Sequence, residues 1–187
     1  MHFDFNRQAI SLACRFYARS LSFPYDELAH ELHYLFREIE KNIETDLDNT
    51  VASKVLDVIN SYQGEDMSAL HAEYARLFSY VQDQESPVSM RVTDLDPQID
   101  HWKLNDQIMK ASAVFDLEDA PDALPGILDL FSGSLEMDSD AAISDFYESF
   151  LLRSVPMFCE QVYRLTGLNF YKEVARGLSE LIYLLRD

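Results

Sequence analysis

Apolar residues recur at steps of three and four along almost the whole chain, and no sustained two-residue alternation bounded by hairpin turns interrupts them. This pattern predicts an all-α fold. A first helix over about 6–21 turns Ile10, Ala13, Phe16 and Tyr17 inward and stops before Pro24, whose ring cannot continue a helix. A second, from about Pro24-Tyr25-Asp26, buries Leu28, Leu32, Leu35, Phe36 and Ile39. A third presents Val51, Val55, Val58, Ile59 and Tyr62 and ends at Gly64, a residue suited to a left-handed C-cap. The fourth carries Met67, Leu70, Tyr74, Leu77, Phe78 and Val81.

The period is lost over about 82–99, where Ser86, Pro87, Ser89, Thr93, Pro97 and several aspartates mark an irregular connection long enough to be functional or disordered. Helix resumes near Trp102 and runs to Phe115, and a short helix after Pro121 carries Leu124, Ile127, Leu128, Leu130, Phe131 and Leu135. The longest helical pattern, over about 139–165, holds Ile143, Phe146, Tyr147, Phe150, Leu151, Val155, Phe158 and Val162, with a kink expected at Pro156. A last helix over about 169–185 repeats the signal through Phe170, Val174, Leu178, Leu181, Ile182 and Leu185. Without an internal repeat, 187 residues of this pattern read as one helical domain over 1–187.

Charge narrows the partners. Against 15 basic residues stand 33 acidic ones, a net charge of −18 that repels nucleic-acid phosphates and anionic membranes and attracts cationic peptides, besides keeping the chain soluble. Between Phe115 and Glu148 there is no lysine or arginine, yet Asp116, Glu118, Asp119, Asp122, Asp129, Glu136, Asp138, Asp140, Asp145 and Glu148 make a local anionic field. Helix N-termini near Asp122 and Ser139 account for part of this clustering. Asp122, beside Pro121, and Asp129 are flanked by apolar residues and are the candidate partners for an arginine.

Cys14 and Cys159 lie far apart in apolar helical patterns and read as small core residues in a reducing compartment. The opening Met1-His2-Phe3-Asp4-Phe5-Asn6-Arg7 lacks the basic-then-apolar order of a secretory leader, and no stretch approaches the roughly 20 apolar residues of a membrane span. A cytoplasmic location is expected.

Glycine-rich phosphate cradles, G-x-S-x-G elbows, H-E-x-x-H helices and paired C-x-x-C motifs are missing, so neither an enzyme nor a cofactor site is expected. Glu27-x-x-His30 with His33 one turn on is the nearest approach to a metal motif, but it has no second copy and reads better as an exposed polar face. In Glu73-Tyr74-Ala75-Arg76-Leu77-Phe78, helical spacing sets Tyr74, Leu77 and Phe78 on one face. Core packing accounts for that face, and its position just ahead of the irregular loop offers a groove edge as the alternative.

In order and spacing these segments resemble the TorD/DmsD/NarJ family of redox-enzyme maturation chaperones. Glu73-Tyr74-Ala75-Arg76-Leu77-Phe78 resembles the family's aromatic-x-x-Leu-Phe motif. After a variable loop and a helix, Ala120-Pro121-Asp122-Ala123-Leu124 resembles its Pro-Asp-His-Leu motif, and Leu128-Asp129-Leu130-Phe131 the helix that continues it. Phe150-Leu151-Leu152 and Phe170-Tyr171 resemble the C-terminal pattern. Ala123 stands where the family usually has histidine and Ile127 where it often has glutamate, and a second histidine is missing near Ser154.

The resemblance implies a TorD-like helical bundle that binds the twin-arginine signal region of a molybdenum-dependent oxidoreductase precursor, assists cofactor insertion and prevents premature export. It implies peptide contacts from Tyr74, Leu77, Phe78, Pro121, Asp122 and Asp129. It leaves open a monomer or a helix-exchanged dimer, and whether a nucleotide binds with Ala123 in place of the histidine. A helical adaptor for another basic or amphipathic segment fits the same acidity.

Overall fold

The computed structural model describes residues 5–79, 86–112 and 122–186. Among them the chain runs through ten α-helices: α1 Arg7–Ser20, α2 Leu28–Lys41, α3 Asp46–Gln63, α4 Met67–Phe78, α5 Val92–Leu95, α6 His101–Ser112, α7 Leu124–Met137, α8 Asp140–Phe146, α9 Ser154–Leu165 and α10 Asn169–Leu184. No strand forms among the described residues, and the fold is all-α.

The bundle is organised around α1, which buries Ala9, Ile10, Leu12, Ala13, Cys14, Phe16, Tyr17 and Ala18, more than one face of a helix. Such a helix must be enclosed, and α7, α2, α3 and α10 enclose it. Its start is fixed by the Asn6 side chain, which accepts from the amides of Gln8 and Ala9 at 2.9 and 3.3 Å. Buried Asp48, in the capping box of α3, accepts from the amides of Asn6, Glu44 and Thr45 at 3.0–3.1 Å, tying the starts of α1 and α3 together. Cys14 and Cys159 are free and buried, and burial pushes both thiols well above their usual range, so they act as small apolar fillers.

Helix α10 buries Phe170, Val174, Leu178, Leu181, Ile182 and Leu185, the set its periodicity predicts. It closes on α1 at Gly177, where a Cβ would lie 2.3 Å from the hydroxyl oxygen of Tyr17. That hydroxyl is buried with no hydrogen-bond partner among the described residues, so the close approach serves packing.

Three expectations change in detail. The segment expected as one helix over about 139–165 is broken before Pro156: after α8, a π-helical turn at Tyr147–Leu151 carries the Tyr147 hydroxyl to the carbonyl of Ile182 at 2.6 Å. Pro156 then falls in the first turn of α9, where its missing N–H leaves no bond unmade. Gly64 does end α3, but with φ −88° and not in the left-handed region. Of the irregular connection expected at 82–99, residues 86–99 are packed: Val88, Val92, Leu95 and Ile99 are core residues and 92–95 form α5. Asp96, also buried, pairs with Arg153 at 3.0 Å. An insert with one helical turn is too short to show a period.

The Gly177 contact predicts that Gly177→Ala destabilises the fold by about 1–3 kcal/mol, overriding the gain of about 1 kcal/mol that alanine brings to a helix. Tyr17→Phe, which removes an unpartnered hydroxyl, should cost little alone and should recover much of the loss in the double variant. Urea denaturation of the four proteins checks it.

Candidate functional site

Helix α4 divides the motif residues 73–78 between two jobs. Leu77 is 0% exposed and belongs to the core, not to a groove wall. Tyr74 and Phe78 are partly buried in a run of aromatic contacts: Phe23 stacks on His71 at 4.9 Å and meets Tyr74 edge-on at 5.3 Å, Tyr74 meets Phe78 at 5.1 Å, and Phe78 reaches Tyr171 and Phe158 at 5.9 and 6.0 Å. Phe23 is the open end of this shelf, 54% exposed. His71 Nε2 donates to the carbonyl of Pro24 at 2.9 Å, holding the turn that presents Phe23. Phe23 and His71 escape a reading of the sequence because Phe23 lies between helices, outside any period.

Glu73 and Arg76 fasten the same helix from outside. Glu73 accepts two bonds from the Arg76 guanidinium at 2.8 Å, and also accepts from the Thr166 hydroxyl at 2.8 Å and the Gly167 amide at 2.7 Å, while Arg76 donates to the carbonyl of Leu165 at 2.6 Å. Chiefly through Arg76, and aided by the Gly167 amide and Thr166 hydroxyl, this holds the Glu73 carboxyl down at about 2, against an ordinary 4.5. These two residues of the motif anchor α4 to the α9–α10 turn.

Backbone bonds join this end of α4 to the second motif. The Val88 amide donates to the carbonyl of Leu77 at 3.0 Å, that of Leu124 to Met90 at 2.7 Å, and that of Val92 to Asp122 at 3.2 Å, around a single antiparallel bridge between Arg91 and Ala123. The packed insert therefore sets Asp122 at the mouth of α7, one segment away from Leu77. Asp122 is half-buried, and the guanidinium of Arg91, itself exposed, stands 3.8 Å off. Ala123, at the N-cap of α7, offers no side-chain cap. Pro121 lies outside the described residues.

Asp129 has a different setting. Arg19 of α1 donates to it at 3.1 Å and lies 3.3 Å from Glu31 of α2, whose carboxylate also accepts from the Tyr25 hydroxyl. It is one rung of a ladder between α1 and the acidic segment: Arg15 meets Glu136 at 2.7 Å and Arg7 pairs with Asp140, while Lys103 of α6 holds Asp145 at 2.5 Å. Ser11 and Ser132, both buried, complete the seam at 2.8 Å. Much of the expected anionic field is thus spent inside the molecule.

The Glu27-x-x-His30 and His33 face holds no metal constellation among the described residues. His33 Nδ1 donates to the carbonyl of Ala29 at 2.7 Å, which leaves Nε2 to accept from Gln63 at 3.1 Å.

Two consequences are measurable. Leu77→Ala should lose about 2–5 kcal/mol of stability as a core truncation, whereas Phe23→Ala, at an exposed rim, should change it by less than about 1 kcal/mol; denaturant melts separate them. Because the Glu73 carboxyl is depressed in the fold, its contribution is full above pH 4.5 and fades as pH falls toward about 2. Glu73→Gln should lower stability at neutral pH and flatten that acid limb in a pH series of melts.

No family model matches the sequence, and no curated protein matches it. The fold matches the crystal structure of a protein from Archaeoglobus fulgidus named, provisionally, a redox enzyme maturation protein. The match has a TM-score of 0.54 and 17% identity over 98% of this chain and 95% of that one. At that identity the likeness is one of fold.

Proposed function

We propose that this chain is a cytoplasmic chaperone that binds the twin-arginine signal region of a redox-enzyme precursor and holds it while cofactor insertion is completed. The observation that carries the reading is that two motifs resembling the TorD/DmsD/NarJ family, far apart in the chain, meet across one packed insert through the Leu77–Val88 and Met90–Leu124 bonds. Support also comes from a fold shared along nearly the whole chain with a protein bearing a maturation name.

In this reading Asp122 receives a client arginine by exchange with Arg91, whose long contact and exposed guanidinium make it easily displaced. Asp129 serves the fold first, since Arg19 already occupies it. The aromatic contact passes from Leu77 to Phe23, Tyr74 and Phe78, with Leu77 supporting them from the core.

Magnitudes divide the work. An exposed arginine–carboxylate pair contributes about 0.2–1 kcal/mol, while burying roughly 300 Å² of apolar peptide gives about 7 kcal/mol, against an association cost on the order of 4–15 kcal/mol. Apolar contact supplies most of the affinity, and the acidic surface supplies attraction and register.

Titration calorimetry and stopped-flow binding of a twin-arginine peptide at two salt concentrations test this. Asp122→Asn should weaken binding by up to about five-fold, mainly through slower association, and reduce its salt dependence. A peptide that does not bind, or that binds equally well at low salt with both arginines replaced by alanine, sinks the reading. Recovery from cell extract of basic segments unrelated to redox enzymes would favour the adaptor alternative.

A further inference from the structure

Helices α9 and α10 leave an open groove of about 630 Å³ between them, and no described residue of the two motifs lines it. Its floor is small: buried Cys159 and Ala175, with Ser179. Its walls are Met157, Tyr163 and Tyr183, which are 45%, 45% and 51% exposed. Side chains of that size and apolarity, set along two parallel walls over a low floor, form a seat for a helix lying between two others. Twelve-residue α9 offers a track of about 18 Å, the length of roughly three helical turns.

Charge decides what fits. Every ionised group on the rim already has an internal partner: Glu160 with Arg164 at 3.0 Å, Arg176 with Glu173 at 2.9 Å, and Glu180 with Lys54 at 3.1 Å. Arg176 also lies over the Tyr163 ring at 5.9 Å. In a chain of net charge −18 the groove is therefore locally neutral, a surface matched to an uncharged segment. A second copy is disfavoured because two chains each carrying −18 repel.

We propose that the α9–α10 groove seats an uncharged apolar helical stretch of the client polypeptide, about three turns long. The proposal rests on the chaperone reading and extends it: the motif site near Asp122 takes the cationic part, and this groove takes the apolar part that follows.

The test uses the full chain, its Met157→Glu/Tyr183→Glu double variant, and two peptides. One peptide carries two arginines followed by about a dozen uncharged apolar residues, and the other has that stretch replaced by serine and glycine. Both substituted residues are exposed, so the variant should melt like the parent. Calorimetry should show the apolar peptide bound at least ten-fold more weakly by the variant, with the serine–glycine peptide unaffected, and circular dichroism should show the apolar peptide gaining helix on the parent. Unchanged affinity of the apolar peptide for the variant overturns the groove and leaves the chaperone reading standing. Failure of the parent to bind either peptide overturns that reading, and this proposal with it. Light scattering that shows the parent dimeric and the variant monomeric overturns it in favour of a second copy.

Discussion

A helix buried around most of its circumference cannot lie on a surface, and α1 is such a helix. Its enclosure by α7, α2, α3 and α10 is the constraint from which the rest of the architecture follows. One stripe of α1 is nevertheless basic, with Arg7, Arg15 and Arg19 at intervals of two and one turns. Those cations must leave the core where acids can meet them, and they leave along the seam with α7 and α8. Of the described carboxylates in the acidic segment, α1 neutralises Asp129, Glu136 and Asp140, and Lys103 of α6 neutralises Asp145. The polarity of α1 thus orients α7, and the orientation of α7 places Asp122 at its mouth.

From there the insert of residues 86–99 matters more than its irregular backbone suggests. Four of its side chains enter the core, and its backbone amides bind α4 on one side and the start of α7 on the other. A loop held this way cannot slide without exposing Val88 and Val92, so the distance between the two motifs is set by hydrophobic burial. At the far end, the Glu73–Arg76 clamp fixes α4 to the α9–α10 turn. The motif on α4 is therefore held by the core, by the insert and by the clamp.

Periodic helices were legible in the chain, and α10 shows why: six inward residues at helical spacing are all buried. What periodicity could not carry was anything depending on one residue or on distant pairing. The π-helical turn at 147–151 preserves apolar spacing closely enough that the chain reads as one helix, while Pro156, where a kink is expected, is harmless in a first turn. The site was legible only as a spacing of motifs. Leu77 shares its face with Tyr74 and Phe78, yet one face of a helix contains both its buried centre and its accessible edge, and spacing cannot tell them apart. Asp129 looked available because its partner, Arg19, is 110 residues away in the chain.

That last distinction bears on how an acidic surface recognises a partner. Carboxylates spent on internal arginines exert little field outside, and exposed charges act over only about 8–10 Å at physiological salt. The excess that remains after internal pairing can draw a cationic segment to the surface and orient it, but it cannot hold it there for long. Retention requires apolar surface that is open and already shaped. The described residues offer it at the Phe23 edge of the aromatic shelf and between the walls of Met157, Tyr163 and Tyr183. Under the proposed reading, a client with charge but no apolar stretch is met and released, and one with an apolar stretch but no charge arrives slowly. Selectivity then comes from requiring both in one segment, which neither surface provides alone.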